Sequence, residues 1–112
     1  EFTGIFPEKD AEVPKNRYTK WFDYDKIVQS IVIRSRHSGD FLTITDGAGN
    51  IRHKSLKDYM ITEKIPQGLR NEIPVVAMGS HVLWLIGWRV SEAFKVGKDT
   101  RRVLEVKWRR RP

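Results

Sequence analysis

The positively charged side chains in the segment IRHKSLKDYM, residues 51–60, are the first candidates for chemistry in this chain. Arg52, Lys54 and Lys57 surround Ser55, where an alternating strand-like pattern gives way to a helix-like one. Arginine offers a fork that matches phosphate oxygens and lysine adds a point charge, while a helix start adds free amides and the positive end of its dipole. Such a joint suits a phosphate group, although ordinary solvation of a sheet face explains the same charges.

Two more cations, Arg34 and Arg36, share one face of the strand-like segment SIVIRSR at residues 30–36, because side chains alternate along a strand. The turn HSGD follows at residues 37–40. A hairpin formed by residues 41–54 could then bring these arginines toward the cations of the 51–60 segment. We therefore expect five cations from two strands and a helix start to form one anion-binding cluster.

The histidines do not indicate a metal site. His37, His53 and His81 have no spacing typical of zinc ligands, and the chain has no cysteine to join them. We expect them to be turn or surface residues, with His53 facing partly inward because it shares strand parity with Ile51. The sequence therefore predicts no metal site.

No motif in the chain indicates catalysis. The segment DGAGN, residues 46–50, lacks the lysine and helix of a phosphate loop and is expected to be a hairpin turn. No serine has an evident base and orienting acid beside it. Asp40 and Asp46 flank a strand, where aspartates commonly cap turn amides rather than act as paired acids. We predict no catalytic residue and no cofactor within this chain.

The pattern of elements that must position these residues predicts a mainly β fold with short inserted helices. We expect a β-sandwich-like layered domain of α+β character. Leu56, Tyr59 and Met60 form a helical stripe capped by Ser55, so a helix is predicted over residues 56–64. Trp84 is expected in the core. Residues 1–17 are predicted to be a linker or N-terminal arm, residues 18–108 one domain, and residues 109–112 a basic tail. Strands are predicted within 18–24, 30–36, 41–45, 51–54, 75–78, 81–88 and 102–108, and short helical turns within 67–74 and 90–96.

The net charge of +7 is unevenly distributed, since residues 95–112 carry +6 of it. A polyanion is therefore a plausible partner, nucleic acid first and an anionic membrane second, with a solvated tail as the plain alternative. The longest apolar run, residues 82–88, is too short for a membrane-spanning helix. Without cysteines, the chain suits a reducing compartment, which predicts a cytoplasmic location. It begins without methionine, so we expect a piece of a longer protein.

Four segments together resemble the C-terminal domain of bacterial tRNA(Ile)-lysidine synthetases: YTKWFDYDKI, IVIRSRHSGDF, KSLKDYMITEKIP and HVLWLIGWRVSEAFKV. They occur in the family's order, at compatible spacing, over about residues 18–106. The positions that carry the resemblance are Arg34, Arg36, Gly39 and Asp40; Lys54, Leu56, Lys57, Asp58, Lys64, Ile65 and Pro66; and Trp84, Gly87, Arg89, Ser91, Glu92, Phe94, Lys95 and Val96.

The resemblance implies a piece of a ligase that uses ATP to attach lysine to the wobble cytidine of an isoleucine tRNA. In that family the catalytic domain is N-terminal and carries an S-G-G-x-D-S phosphate loop, which this chain lacks. ATP and Mg²⁺ are thus implied for the full-length enzyme only, and this chain is expected to be inactive alone. The implied fold is similar to a domain of the phenylalanyl-tRNA synthetase β subunit.

The resemblance also implies partners. They are the isoleucine tRNA with a CAU anticodon, held on its acceptor-stem side, and the N-terminal catalytic domain of the same chain; no membrane is implied. The alternative is a structural or oligomerisation domain whose aromatic strands, with Trp84 and Trp88, pack against a partner domain or subunit, and it leaves a homodimer open. If the chain binds tRNA, the candidate tRNA-binding residues are Arg34, Arg36, Arg52, Lys54, Lys57, Lys64, Arg89 and Lys95.

Overall fold

A computed structural model describes residues 2–7 and 17–109. The chain forms two compact units, one made of Glu1–Val28 and Phe94–Pro112 and the other of Gln29–Ala93. In the described ranges the strands are β1 (Phe2–Pro7), β2 (Thr19–Asp23), β3 (Val32–Arg34), β4 (Phe41–Thr45), β5 (Ile51–Ser55), β6 (Val75–Met78), β7 (His81–Leu85), β8 (Arg89–Val90) and β9 (Arg102–Lys107). The α-helix α1 covers Leu56–Thr62, and short 3-10 helices cover Tyr24–Lys26, Gln67–Leu69 and Glu92–Phe94. The predicted mainly β fold class is confirmed.

The first unit contains a three-stranded antiparallel sheet in the order β1-β9-β2. Phe2–Pro7 was expected to be linker or arm, but it pairs along β9 from Phe2 opposite Val106 to Pro7 opposite Arg102. A register shift between Phe2 and Gly4 interrupts the alternation that would have indicated a strand. The rest of the expected arm, residues 8–16, and residues 110–112 of the basic tail lie outside the described residues.

Strand β9 is the central strand of this sheet, and its Val103, Leu104 and Val106 are buried. Phe22, opposite Leu104 on β2, is also fully buried. The indole Nε1 of Trp21 donates to the carboxylate of Glu105 at 2.7 Å, which satisfies a polar atom at the edge of this apolar cluster.

The second unit contains a mixed sheet in the order β3-β6-β7-β4-β5, with β8 pairing β7. The predicted hairpin is confirmed, since β4 and β5 pair antiparallel from Phe41 opposite Ser55 to Thr45 opposite Ile51. Its loop is held by Asp46, whose carboxylate accepts from the amides of Ala48 and Asn50 at 2.9 Å each. The hydrogen bonds from these backbone amides lower the pKa of the Asp46 carboxyl, and the bond from Asn50 has the largest effect. Asp46 therefore caps a turn, as its sequence position indicated.

Helix α1 closes one face of this sheet. Its Leu56, Tyr59 and Met60 join a buried cluster with residues from β4, β6 and β7, as the helical stripe predicted. Ser55 caps the helix by accepting from the amide of Asp58 at 3.0 Å. The helix is shorter than predicted because Lys64, at φ 57°, turns left-handed.

Trp84 on β7 is 1% exposed, so its predicted core position is confirmed. The predicted helical turns are also present, within Gln67–Leu69 and Glu92–Phe94.

Candidate functional site

A cleft of about 530 Å³ opens in the second unit between three segments of chain. The turn after β3, the start of α1 and the 3-10 helix Gln67–Leu69 with the residues after it form its walls. Its cationic side chains are Arg36, Lys57 and Arg70. The remaining lining residues are His37, Ser38, Gly39, Asp40, Ser55, Leu56, Gln67 and Asn71.

Both arginines of this cleft are tethered through the same nitrogen. The Nε of Arg36 donates to the side-chain oxygen of Asn71 at 2.9 Å. The Nε of Arg70 donates to the backbone oxygen of Ile65 at 2.9 Å. Because a guanidinium group is planar, fixing Nε orients both η nitrogens while leaving their four N–H groups for another acceptor. Lys57 is exposed and adds a third positive charge.

The cleft's acidic lining residue is already neutralised. Asp40 receives a two-pronged ion pair from Arg34, with Nη1 at 2.8 Å from Oδ2 and Nη2 at 3.0 Å from Oδ1. Arg34 also donates from Nη1 to the backbone oxygen of Ser35 at 3.0 Å and from Nη2 to that of Gly79 at 2.9 Å. The hydrogen bond to Asp40 raises the pKa of Arg34. All four η hydrogens of Arg34 are therefore engaged within the fold, which suits a residue that positions the site.

Backbone bonds fix the turn that carries Arg36. The amide of His37 donates to Asp40 Oδ2 at 2.7 Å, and Gly39 adopts the left-handed φ of 89° that closes the turn. The amide of Leu56 donates to the backbone oxygen of Asp40 at 2.9 Å. This last bond joins the turn directly to the start of α1, so Arg36 and Lys57 lie on the same cleft.

The expected single cluster of five cations does not form. Strands β3 and β5 lie at opposite ends of the strand order, with β6, β7 and β4 between them. Arg36 and Lys57 meet because the chain beyond β3 turns back toward α1. Arg52 and Lys54 instead line a second pocket of about 420 Å³, with Ile44, Asp46 and His53. Local alternation predicts which side chains share a face of one strand, but not the order of strands in the sheet. The sequence pattern therefore suggested one cluster of five cations.

The other candidate cations occupy separate places. Lys64 is exposed at the end of α1. Arg89 is half-buried on β8, close enough to Tyr59 to oppose the rise in tyrosine pKa that burial causes. Lys95 is exposed and belongs to the first unit. None of these three lines the cleft.

Arg70 and Asn71 were missed by the sequence analysis. They lie between Pro66 and Pro74, in a segment recognised only as a short helical turn. An arginine followed by an asparagine within a proline-bounded loop is a weak indication of a binding site, because the direction of the arginine side chain depends on tertiary contacts. The tether from Arg70 to Ile65 fixes that direction in the folded chain.

The aromatic residues also differ from one expectation. Trp84 was considered as a surface for a partner domain, but it is 1% exposed in the folded chain. Trp88, which follows the left-handed Gly87, is 42% exposed.

Among the residues that the structure describes, no group of three or more metal-ligating side chains comes together. No helix in the same ranges is long and apolar enough to cross a membrane.

Comparison with known proteins matches residues 31–108 to the family model described as the TilS substrate C-terminal domain. The chain belongs to this family. The match covers α1, the mixed sheet and the cleft, which places all three cleft cations, Arg36, Lys57 and Arg70, inside the family domain.

Curated relatives of the chain carry the name tRNA(Ile)-lysidine synthase. The chain is 45% identical over 94 residues to the protein of Caldanaerobacter subterraneus subsp. tengcongensis, covering 84% of this chain and 20% of that protein. It is 41% identical over 93 residues to the protein of Clostridium tetani, covering 83% and 19%. The chain thus spans about a fifth of the length of these relatives.

A solved structure, described as the crystal structure of the TILS C-terminal domain, has the same fold. It aligns with a TM-score of 0.60 and 25% identity, covering 94% of this chain and 77% of that one. The family resemblance that the four sequence segments indicated is therefore confirmed.

Proposed function

We propose that this family domain binds tRNA for a tRNA(Ile)-lysidine synthase by contacting the phosphate backbone in the cleft of Arg36, Lys57 and Arg70. The observation that carries the proposal is the shared tether of the two arginines. Each is held through Nε, so two pre-oriented forks meet the ligand with less rotamer entropy to lose. A guanidinium fork pairs with two oxygens of one phosphate.

RNA chemistry fits such a site. Double-stranded RNA presents phosphates and 2′-hydroxyls more readily than base edges, so a domain that holds a stem recognises shape and charge. His37, Ser38 and Asn71 line the same cleft and supply polar atoms for sugar hydroxyls. The ion pair of Arg34 with Asp40 keeps the one carboxylate of the lining from repelling a phosphate. We assign the bound region to the acceptor-stem side of an isoleucine tRNA with a CAU anticodon.

The domain serves the reaction by positioning and not by catalysis. In the full-length enzyme, ATP with Mg²⁺ activates the wobble cytidine and lysine is attached to it, in an N-terminal catalytic domain that is the second partner of this chain. The 112 residues of the chain contain no phosphate-loop motif. We place the enzyme in the cytoplasm, where its tRNA is made.

The eight candidate residues divide into roles. Arg36 and Lys57 contact phosphates, together with the newly found Arg70, and Arg34 positions the turn that carries Arg36. Contacts from the cations outside the cleft stay predictions: Arg52, Lys54, Lys64, Arg89 and Lys95.

Filter binding of unmodified isoleucine tRNA to the full-length enzyme tests the proposal. Replacing Arg36, Lys57 or Arg70 by glutamine, one at a time, should weaken binding by about three- to tenfold at moderate salt. Lys98→Gln is the matched control, since Lys98 is an exposed cation outside the cleft. Circular dichroism should show an unchanged fold. Affinities equal to that of the control variant in all three cases would overturn the proposal.

A further inference from the structure

Three aromatic rings from three neighbouring strands meet away from the cleft. The ring centroids of Phe41 on β4 and His53 on β5 lie 4.7 Å apart with 29° between the planes. Those of Phe41 and His81 on β7 lie 4.5 Å apart with 28° between the planes. The two imidazoles are tilted, with 5.7 Å between centroids. We call this group the ring stack.

The inner members of the ring stack are fixed. His81 is half-buried, and one of its nitrogens lies 2.8 Å from the hydroxyl of Thr43. Burial, followed by the neighbouring His53, lowers the pKa of His81, which favours its neutral form. The backbone of Phe41 is held by its amide, which donates to the backbone oxygen of Ser80 at 3.0 Å. Phe41 and His81 are therefore the half-buried base of the stack.

The outer member is open to solvent. His53 is exposed on β5, which ends the strand order of its sheet among the described residues. Its ring packs on Phe41, while the residue as a whole is exposed. Ile51, on the same side of β5 by alternation, is 73% exposed. An exposed ring that packs on further rings is a surface on which an unpaired base can stack.

Alternation places the neighbouring cations on the other face of β5 from His53. Arg52 and Lys54 line the pocket of about 420 Å³ with Ile44 and Asp46, and the Nζ of Lys54 donates to the hydroxyl of Thr62 at 3.1 Å. Arg52 is 67% exposed in its side chain, and its nearest carboxylate oxygen, on Asp46, is 3.6 Å away. The contribution of the ring stack itself to binding is therefore stacking rather than charge.

We propose that the ring stack of His53, Phe41 and His81 is a binding site for one unpaired base of a single-stranded RNA segment. The inference rests on the proposed function in that RNA is the ligand of both sites. It differs in the part of RNA recognised, since the cleft contacts backbone and the ring stack contacts a base. Stacking tolerates any base, so selectivity at this site is for unpaired over paired nucleotides.

The test compares two probes on the chain itself. Fluorescence anisotropy measures the affinity for fluorescein-labelled pentaadenylate and for the same pentamer with an abasic central residue. The wild-type chain should prefer the intact pentamer by about 5- to 50-fold, the range expected for one stacked base. This comparison needs no variant and so does not depend on the folding of one. A ratio near one would overturn the proposal.

Variants assign the preference to the stack. His53→Ala should bring the ratio to within about twofold of one, while His53→Phe, which keeps a ring, should preserve it. His37→Ala is the matched control, because His37 is an exposed histidine outside the stack. A ratio unchanged by His53→Ala would show that the rings only pack the sheet.

A cleft variant separates the two proposals. Arg36→Gln with Lys57→Gln should lower affinity for tRNA without changing the ratio between the pentamers. If the cleft proposal fails and the ring stack is right, the ratio persists while this variant binds tRNA normally.

Discussion

Replacing Arg34 by methionine distinguishes a positioning role of this residue from a direct contact with phosphate. The side chain of Arg34 is 16% exposed and that of Asp40, whose carboxylate it holds, is 1% exposed. In Arg34→Met that carboxylate keeps the amide of His37 as its hydrogen-bond donor but loses its counter-charge. Breaking a buried pair on one side costs about 3–5 kcal/mol. Because Arg34 is partly exposed, we expect a smaller loss of about 2–4 kcal/mol.

The two backbone oxygens that Arg34 holds add little to this loss. Those of Ser35 and Gly79 lose one donor each, but both residues are exposed and water replaces the arginine. Arg34→Lys keeps the charge and loses the fork, so we expect about half the effect. For a domain of this size, a loss of about 3 kcal/mol lowers the melting temperature by roughly 10–15 °C.

Urea unfolding followed by fluorescence of the four tryptophans gives the free energies. A double-mutant cycle with Asp40→Asn should yield a coupling energy of about 1.5–3 kcal/mol between Arg34 and Asp40. A loss of less than about 1 kcal/mol of stability in Arg34→Met, together with a fall in tRNA affinity equal to that of Arg36→Gln, would refute the positioning role of Arg34. Arg34 would then be a ligand contact, and Asp40 would have other support.

Three other outcomes follow from the structure and the sequence. Because the folded-state pKa of His81 lies below its ordinary value of 6.5, the unfolded state binds more protons below that pH. The free energy of unfolding should therefore fall as pH drops from about 6.5. Urea unfolding at about pH 7.5 and about pH 5 measures this fall, and His81→Gln should remove the part of it that His81 causes. Lys64→Gly should raise the free energy of unfolding by about 0.5–1 kcal/mol, since Lys64 has φ 57°; Glu63→Gly, at φ −82°, should lower it and serves as control. The highly pure chain should release no pyrophosphate from ATP with lysine and isoleucine tRNA, and turnover above blank would contradict that expectation.

Local patterns in the sequence predicted most individual elements. The capping serine at residue 55 and the stripe after it located α1, because caps and helical periodicity act within a few residues. The glycine-rich DGAGN segment located the β4–β5 hairpin for the same reason. Strand β1 was missed because its partner, β9, lies almost a hundred residues away and the register is interrupted.

The candidate site was only half predictable. Arg36 and Lys57 were identified from charge, chain position and the family resemblance. Their separation from Arg52 and Lys54 depends on strand order, which no local pattern encodes. The engagement of Arg34 by Asp40 depends on the geometry of a turn, and the position of Arg70 depends on a tether to the backbone of Ile65. Charge thus predicted the type of ligand, and tertiary contacts selected which cations reach it.

The salt dependence of tRNA binding tests the central claim most directly, because its slope counts the phosphates neutralised. We expect the log of the full-length enzyme's affinity to fall linearly with log salt concentration, at roughly 0.7–0.9 per phosphate contact. Arg36→Gln with Lys57→Gln removes two contacts and should flatten that slope by about 1.4–1.8 units, while Lys98→Gln leaves it unchanged. A slope in the double variant equal to that of the wild-type enzyme would mean that the cleft does not hold the tRNA backbone.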